Sequence, residues 1–327
     1  MRIGDIITSS EQPIFSFEFF PPKTDEGEQN LRDALSTLTE LGPAFASVTY
    51  GAGGTSPART LNVTKWLKNE LGIETMAHVT CLGATAAQTR RTLHELSGAG
   101  IENVLALRGD LPQAGLGAQS GQASEPGQLT QAAQLVELAS SEFGLCCGAA
   151  CFPEGHPDSP DPLSELHFLK AKVDSGASFL ITQMFFDNEF YFRFVEAARF
   201  AGIEVPILPG IMPITNAHQI KTAALCGATL PPALLEQIER RADDRVGGAE
   251  SVAELGVAYA TLQCAELLAH GAPGIHFYTL NRSPATRAIL SALKLQTSYA
   301  SSSTAAITAT SSRPTSRFSQ AMASATA

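Results

Sequence analysis

Several common signatures are missing from this chain. No basic run exceeds Arg240-Arg241 and the net charge is −10 over 327 residues, which argues against a nucleic-acid surface. Met1-Arg2-Ile3-Gly4-Asp5 lacks the apolar stretch of a signal peptide. No segment offers the ~18–20 uncharged apolar residues of a bilayer span. None of the six cysteines (Cys81, Cys146, Cys147, Cys151, Cys226, Cys264) forms a C-x-x-C pair, so neither a zinc site nor a disulfide framework is expected. Buried, reduced thiols in a cytoplasmic protein are expected instead. A nucleotide-binding glycine fingerprint is missing too. Gly51-Ala52-Gly53-Gly54 follows a strand pattern, but position 56 is Ser, so G-x-G-x-x-G fails.

What is present is a regular alternation. Short β-rich runs fall at 14–19, 45–50, 76–81, 104–109, 147–152, 179–185, 207–211 and 275–280. Helix-like segments lie between them at 28–41, 57–71, 85–97, 128–143, 163–175, 189–201 and 252–270. The spacing predicts an α/β fold, a (β/α)₈ TIM barrel over residues 1–296, since such barrels take roughly 250 residues or more. A doubly wound open sheet is the alternative, and the absent fingerprint weighs against it. Residues 297–327 are rich in Ser, Thr and Ala and are expected to form a disordered tail. The Gly-, Gln- and Ser-rich stretch 112–127 reads as a long loop over a ligand site.

Polar residues gather at the strand ends: Glu18, Thr49-Tyr50, His78, Arg108-Gly109-Asp110, Glu154 and His156, Gln183 and Asp187, then Tyr278, Asn281 and Arg282. Barrel enzymes build their sites where the carboxyl ends of the strands converge. Glu18 stands out. In Phe15-Ser16-Phe17-Glu18-Phe19-Phe20-Pro21-Pro22, alternation separates Ser16 and Glu18 from the three flanking phenylalanines at 15, 17 and 19. A carboxyl group in poorly solvated surroundings has its pKa raised, which suits a proton donor. An interior ion pair with an arginine is the competing reading.

These motifs together resemble the methylenetetrahydrofolate reductase family. The resemblance rests on Phe17-Glu18-Phe19-Phe20-Pro21-Pro22, Ser47-Val48-Thr49-Tyr50-Gly51-Ala52-Gly53-Gly54, Ala106-Leu107-Arg108-Gly109-Asp110 and His276-Phe277-Tyr278-Thr279-Leu280-Asn281-Arg282. Pro153-Glu154-Gly155-His156-Pro157, Lys172-Val173-Asp174-Ser175-Gly176-Ala177 and Thr182-Gln183-Met184-Phe185-Phe186-Asp187 add to it. It implies a barrel that binds FAD non-covalently and uses NADH or NADPH to reduce 5,10-methylenetetrahydrofolate to 5-methyltetrahydrofolate by a ping-pong scheme. It also implies a homo-oligomer, with no nucleic-acid or membrane partner and no metal.

The resemblance assigns roles residue by residue. Glu18 becomes the catalytic acid, and Asp110 a second catalytic group near both pterin and flavin. Gln183, Gln219, Tyr278, Arg282 and again Asp110 become substrate contacts. Thr49, Tyr50, Ala52, His78, Arg108, Gly109, Asp110, Ala132, Phe152, His156, Glu165 and Lys172 become cofactor contacts. Two positions depart from the pattern. Phe152 stands where a tyrosine is expected beside the flavin, and Ala223 falls near the place of an expected phenylalanine. A non-catalytic binding barrel has no use for the acid, and an aldolase-type barrel needs a strand-end lysine that is missing here.

Overall fold

Alternation decides how the first strand sits. In β1 (Ile14–Phe19) the side chains of Phe17 and Phe19 are fully buried among apolar helix residues, while Ser16 and Glu18 face the opposite way. A computed structural model describes residues 1–50, 57–82, 84–109, 128–157, 159, 161–243 and 247–295. Ala52 and its glycine run, Asp110, the 112–127 loop and the 297–327 tail lie outside the described residues.

Eight further strands follow: β2 (Phe45–Val48), β3 (Thr75–Thr80), β4 (Asn103–Leu107), β5 (Cys146–Cys151), β6 (Ala177–Thr182), β7 (Ile207–Leu208), β8 (Gly210–Ile211) and β9 (Gly274–Tyr278). All pair in parallel, in the order β7-β6-β5-β4-β3-β2-β1-β9-β8. The two shortest are halves of one extended segment cut by Pro209. Ile207 and Leu208 pair with Leu180 and Ile181 of β6, whereas Gly210 and Ile211 pair with His276 and Phe277 of β9. One segment therefore serves both neighbours and brings the ring round to closure. The barrel expected from the sequence is the one observed, with its seventh strand broken where proline cannot donate a ladder bond.

The outer helices are α2 (Asp25–Thr39), α3 (Pro57–Asn69), α4 (Ala86–Gly98), α5 (Ala132–Phe143), α6 (Pro162–Asp174), α7 (Asn188–Phe200), α10 (Gly248–Ala269) and a last helix over 284–295. Thr85 starts α4 with a capping box, its Oγ1 accepting from the Gln88 N–H at 3.2 Å while Gln88 Oε1 accepts from the Thr85 N–H at 2.7 Å. Most boundaries move by one to three residues from the sequence reading. The largest changes are of four residues: α10 starts at Gly248, and α5 starts at Ala132, because Gln128 instead forms a bridge with Thr85. Three helices escaped the sequence reading: α1 (Ile3–Ser9), α8 (Gln219–Leu225) and α9 (Pro232–Arg241).

One expectation is corrected here. The α10 helix is long and apolar enough, by length and composition, to cross a bilayer, although no such segment was expected. Its apolar character serves packing. Gly256 lies so close to the Ile214 carbonyl that no side chain fits between them, and Val252, Ala260, Cys264 and Leu267 are buried.

Apolar residues fill both sides of the strands. The outer layer joins strands to helices. Inside the barrel, Ile14, Phe45, Met76, Leu105, Cys146 and Phe179 form a floor onto which α1 lowers Ile3 and Ile7. Each such side chain contributes about 1.5–3 kcal/mol of burial. The helix is held by the Ile3 N–H, which donates to Oδ1 of the buried Asn103 at 2.8 Å. Chemistry is thereby left to the opposite end.

Candidate active site

Glu18 leaves β1 pointing into the barrel, next in register to Ser47 of β2 and Tyr278 of β9. Its Oε2 lies 3.4 Å from His78 Nε2 and 3.6 Å from His276 Nε2. The Ser47 hydroxyl donates to the same oxygen at 3.5 Å. His276 is fully buried, its Nδ1 sharing a 2.8 Å hydrogen bond with Ser16 Oγ. The ring also stacks on Phe45 at 5.8 Å. Glu18 thus sits among imidazoles and hydroxyls, because the phenylalanines of its strand face the helices.

This overturns the expected direction of its pKa. Burial pushes the Glu18 carboxyl up, but His78, His276 and Ser47 together outweigh burial and bring it below the ordinary glutamate value. Burial lowers the pKa of His78, Glu18 pulls it partly back, and His276 lowers it further. Among the described residues, no arginine pairs with Glu18. Its polar contacts are imidazole and hydroxyl groups. Glu18 is thereby favoured as a carboxylate among these groups rather than as an isolated neutral acid.

The segment after β9 grips the Glu18 backbone. Thr279 Oγ1 donates to the Glu18 carbonyl at 2.6 Å. Asn281 Nδ2 donates to the Phe20 carbonyl at 2.8 Å, and Asn281 Oδ1 accepts from the Phe20 N–H at 3.0 Å. To make this turn, Leu280 and Asn281 adopt φ of 52° and 55°, a left-handed conformation that is unusual for a leucine. Such strain persists where the surrounding structure enforces it.

Residues expected at a cofactor fall in two groups. Thr49 Oγ1 is buried without a hydrogen-bond partner among the described residues. Lys172 is drawn inside, where its Nζ donates to the Ala150 carbonyl at 2.9 Å. Burial lowers its pKa, the buried Glu165 opposes this, and the charge of Arg108 adds to the lowering. Lys172 thus stands beside the end of β5, and Arg108 follows the end of the neighbouring β4. Gly109 has φ of 88°, and a Cβ there would come within 3.2 Å of Thr80. Phe152 and His156 meet edge to face at 4.5 Å. Tyr50 goes elsewhere, sharing a small pocket with Thr92 and Glu95 of α4, and Ala132 is buried at the start of α5.

The expected substrate contacts are likewise divided. Tyr278 is at the barrel mouth, its ring edge-on to His276 at 5.6 Å. Gln183 lies near the end of β6 and its Oε1 accepts from the Met184 N–H at 2.9 Å. Gln219 is buried and occupied, with Oε1 accepting from the Thr215 and Asn216 N–H groups and Nε2 donating to the Pro213 carbonyl. It holds the loop ahead of α8. Arg282 is exposed, and Ala223 is buried in the α8 packing.

Sequence reading passed over Ser16 and Ser47 and gave His276 no role. Period-two parity was the available signal, since it puts Ser16 on the face of Glu18 and His276 on the face of Tyr278.

Comparison with known proteins decides the family. The family model for methylenetetrahydrofolate reductase matches residues 2–294. The chain belongs to the methylenetetrahydrofolate reductase family. Among the relatives is methylenetetrahydrofolate reductase (NADH) 1 of Arabidopsis thaliana, 37% identical over 301 residues, which are 88% of this chain and 50% of the relative. The 5,10-methylenetetrahydrofolate reductase of Escherichia coli K12 is 38% identical over 274 residues, 84% of this chain and 88% of that one. A probable methylenetetrahydrofolate reductase (NADPH) of Caenorhabditis elegans is 35% identical over 302 residues, 90% of this chain and 44% of the relative. The chain spans about half the length of the plant and nematode reductases. A Clostridium thermocellum protein that binds two copies of 5-methyl-5,6,7,8-tetrahydrofolic acid shares the fold, with a TM-score of 0.63 over 89% of this chain and 97% of its own, at 14% identity.

Proposed function

We propose that this protein reduces 5,10-methylenetetrahydrofolate to 5-methyltetrahydrofolate with NADH or NADPH and one proton, the donor and the folate reacting in turn at one site. Within the family just established, the observation that carries the proposal is the part-buried carboxylate of Glu18 held between His78 and His276 at the mouth of the barrel. The residues fit FAD. Arg108 and Lys172 supply the paired cations that suit a diphosphate, and the unpartnered Thr49 Oγ1 offers a hydrogen bond. Bound there, FAD supplies hydride transfer between donor and folate.

The chain's own task is the proton. The five-membered ring of the folate opens to an iminium only when one of its nitrogens is protonated. In this reading Glu18 delivers that proton, beside a His276 ring that Ser16 and Phe45 hold in place. The carboxylate left once the proton is given up favours the cationic iminium. Asp110 is proposed as a second carboxylate in the same service.

The test is anaerobic. Purified protein should be yellow, bleach on addition of a nicotinamide donor and recover its colour with methylenetetrahydrofolate. Rapid mixing with NADH and NADPH separately identifies the donor. A colourless protein that binds no FAD, or a bleached one that methylenetetrahydrofolate leaves bleached, sinks the proposal.

A further inference from the structure

Where the seventh strand is cut, the phenol of Tyr278 enters the gap. Gly210 opens the second half of that strand. A Cβ added there would stand 2.6 Å from Tyr278 Cε2 and 2.7 Å from its hydroxyl oxygen, besides colliding with the Thr182 carbonyl. Glycine within a strand often marks such a close approach. The Tyr278 hydroxyl donates to the Thr182 carbonyl at 2.6 Å, and the Gly210 N–H donates to Thr182 Oγ1 at 2.8 Å. One fully buried threonine therefore receives both the phenol and the backbone beside it. Burial, with Glu18 adding to it, holds the Tyr278 phenol well above the ordinary tyrosine range, so at neutral pH it keeps the proton that it donates to Thr182.

We propose that Gly210 and Thr182 are positioning residues for Tyr278: the side chain missing at 210 is the space in which the phenol is seated, and the seat fixes the wall that aligns His276 and the folate. The inference rests on the folate-reductase reading above. Its chain of contacts is short. Tyr278 meets His276 edge to face at 5.6 Å, and His276 stands 3.6 Å from Glu18 Oε2. A side chain at 210 drives the ring off Thr182 toward the mouth, removing the support on that side of His276. Misplacement of a reacting group by about 1 Å costs on the order of a hundredfold in rate.

Two readouts test the seat. The first is NMR of protein labelled with [¹³Cζ]tyrosine, which reports the phenol's hydrogen bond without any turnover; Tyr278→Phe assigns the signal. The Tyr278 resonance should move in Gly210→Ala and in Thr182→Val, and stay in place in Thr182→Ser, which keeps the hydroxyl. The second is the pair of half-reactions. Gly210→Ala should slow folate reduction roughly ten- to a hundredfold while flavin reduction by the nicotinamide donor changes less than about twofold, with Thr182→Ser restoring the behaviour lost in Thr182→Val. If Gly210→Ala does not fold, Thr182→Val decides by the same measurements. An unmoved Tyr278 signal, or a moved one with folate reduction intact, overturns the proposal. A wild-type protein that never reduces methylenetetrahydrofolate refutes the function proposed above, and the tyrosine signal then judges the seat by itself.

Discussion

His276 Nε2 stands 3.6 Å from Glu18 Oε2, and Nδ1 of the same ring is tied to Ser16 at 2.8 Å. Two neighbouring strands thus hold a carboxylate and an imidazole in fixed relation, with both side chains largely removed from water. The proton transfer proposed for this end of the barrel depends on that pairing.

Glu18→Gln keeps the shape of the site and removes the transferable proton. FAD binding and donor oxidation should persist, while folate reduction falls by at least the ~10²–10⁴-fold typical of a lost general acid. Single-turnover measurements of each half-reaction check this. Equal damage to both would remove Glu18 from the role of acid.

Acid should loosen the fold through His78. Its pKa lies below the ordinary imidazole value, chiefly because it is buried, so the unfolded chain binds a proton that the folded one refuses. The stability this confers is complete above about pH 6.5 and is lost as pH falls toward the folded value. Glu18, also lowered, acts in the same sense further down, its contribution being complete above about pH 4.3 and lost as pH falls through its folded value. Urea midpoints should therefore decline from about pH 7 to about pH 5, and His78→Gln should flatten that decline. A wild-type midpoint level over this interval contradicts the assignment.

Gly148 marks tight side-chain packing within the cylinder. A Cβ there would lie 2.6 Å from two ring atoms of the fully buried Phe179. Gly148→Ala should cost about 1–3 kcal/mol by overpacking, and Phe179→Leu in the same chain should recover part of it. Urea unfolding of the three variants measures the coupling; strictly additive losses would show that the contact is not shared.

Glu154 straps one loop of the mouth to another. Both its oxygens accept from the Thr229 N–H, at 3.1 and 3.0 Å, and Pro157 fills the space beside Gly227. Glu154→Ala should free the loop that bears Phe152 and His156 and weaken FAD binding roughly fivefold, the equivalent of one hydrogen bond of about 1 kcal/mol. Glu154→Gln, which retains an acceptor, should behave as wild type. Titration of flavin fluorescence gives both values, and an Ala variant with undiminished affinity would show the strap to be idle.

Much of the barrel was legible because each strand carries its own signal. The phenylalanines of β1 alternate with Ser16 and Glu18, and the prolines at 21 and 22 stop the ladder. What escaped depends on residues distant in sequence. The pKa direction of Glu18 is set by two histidines on other strands, which no local pattern reveals. Pro209 was visible, but not that each half of its strand serves a different neighbour. The bonds of Gln219 to the backbone at Pro213, Thr215 and Asn216 were hidden for the same reason: an amide looks alike in sequence whatever it meets. The short α1 helix offers too few turns for periodicity to register.

That helix has a consequence for how the interior exchanges with its surroundings. With Ile3 and Ile7 stoppering one end, the buried pair Ser16 and His276 is shielded from solvent on that side, and exchange with water is biased toward the end where reactants are proposed to arrive.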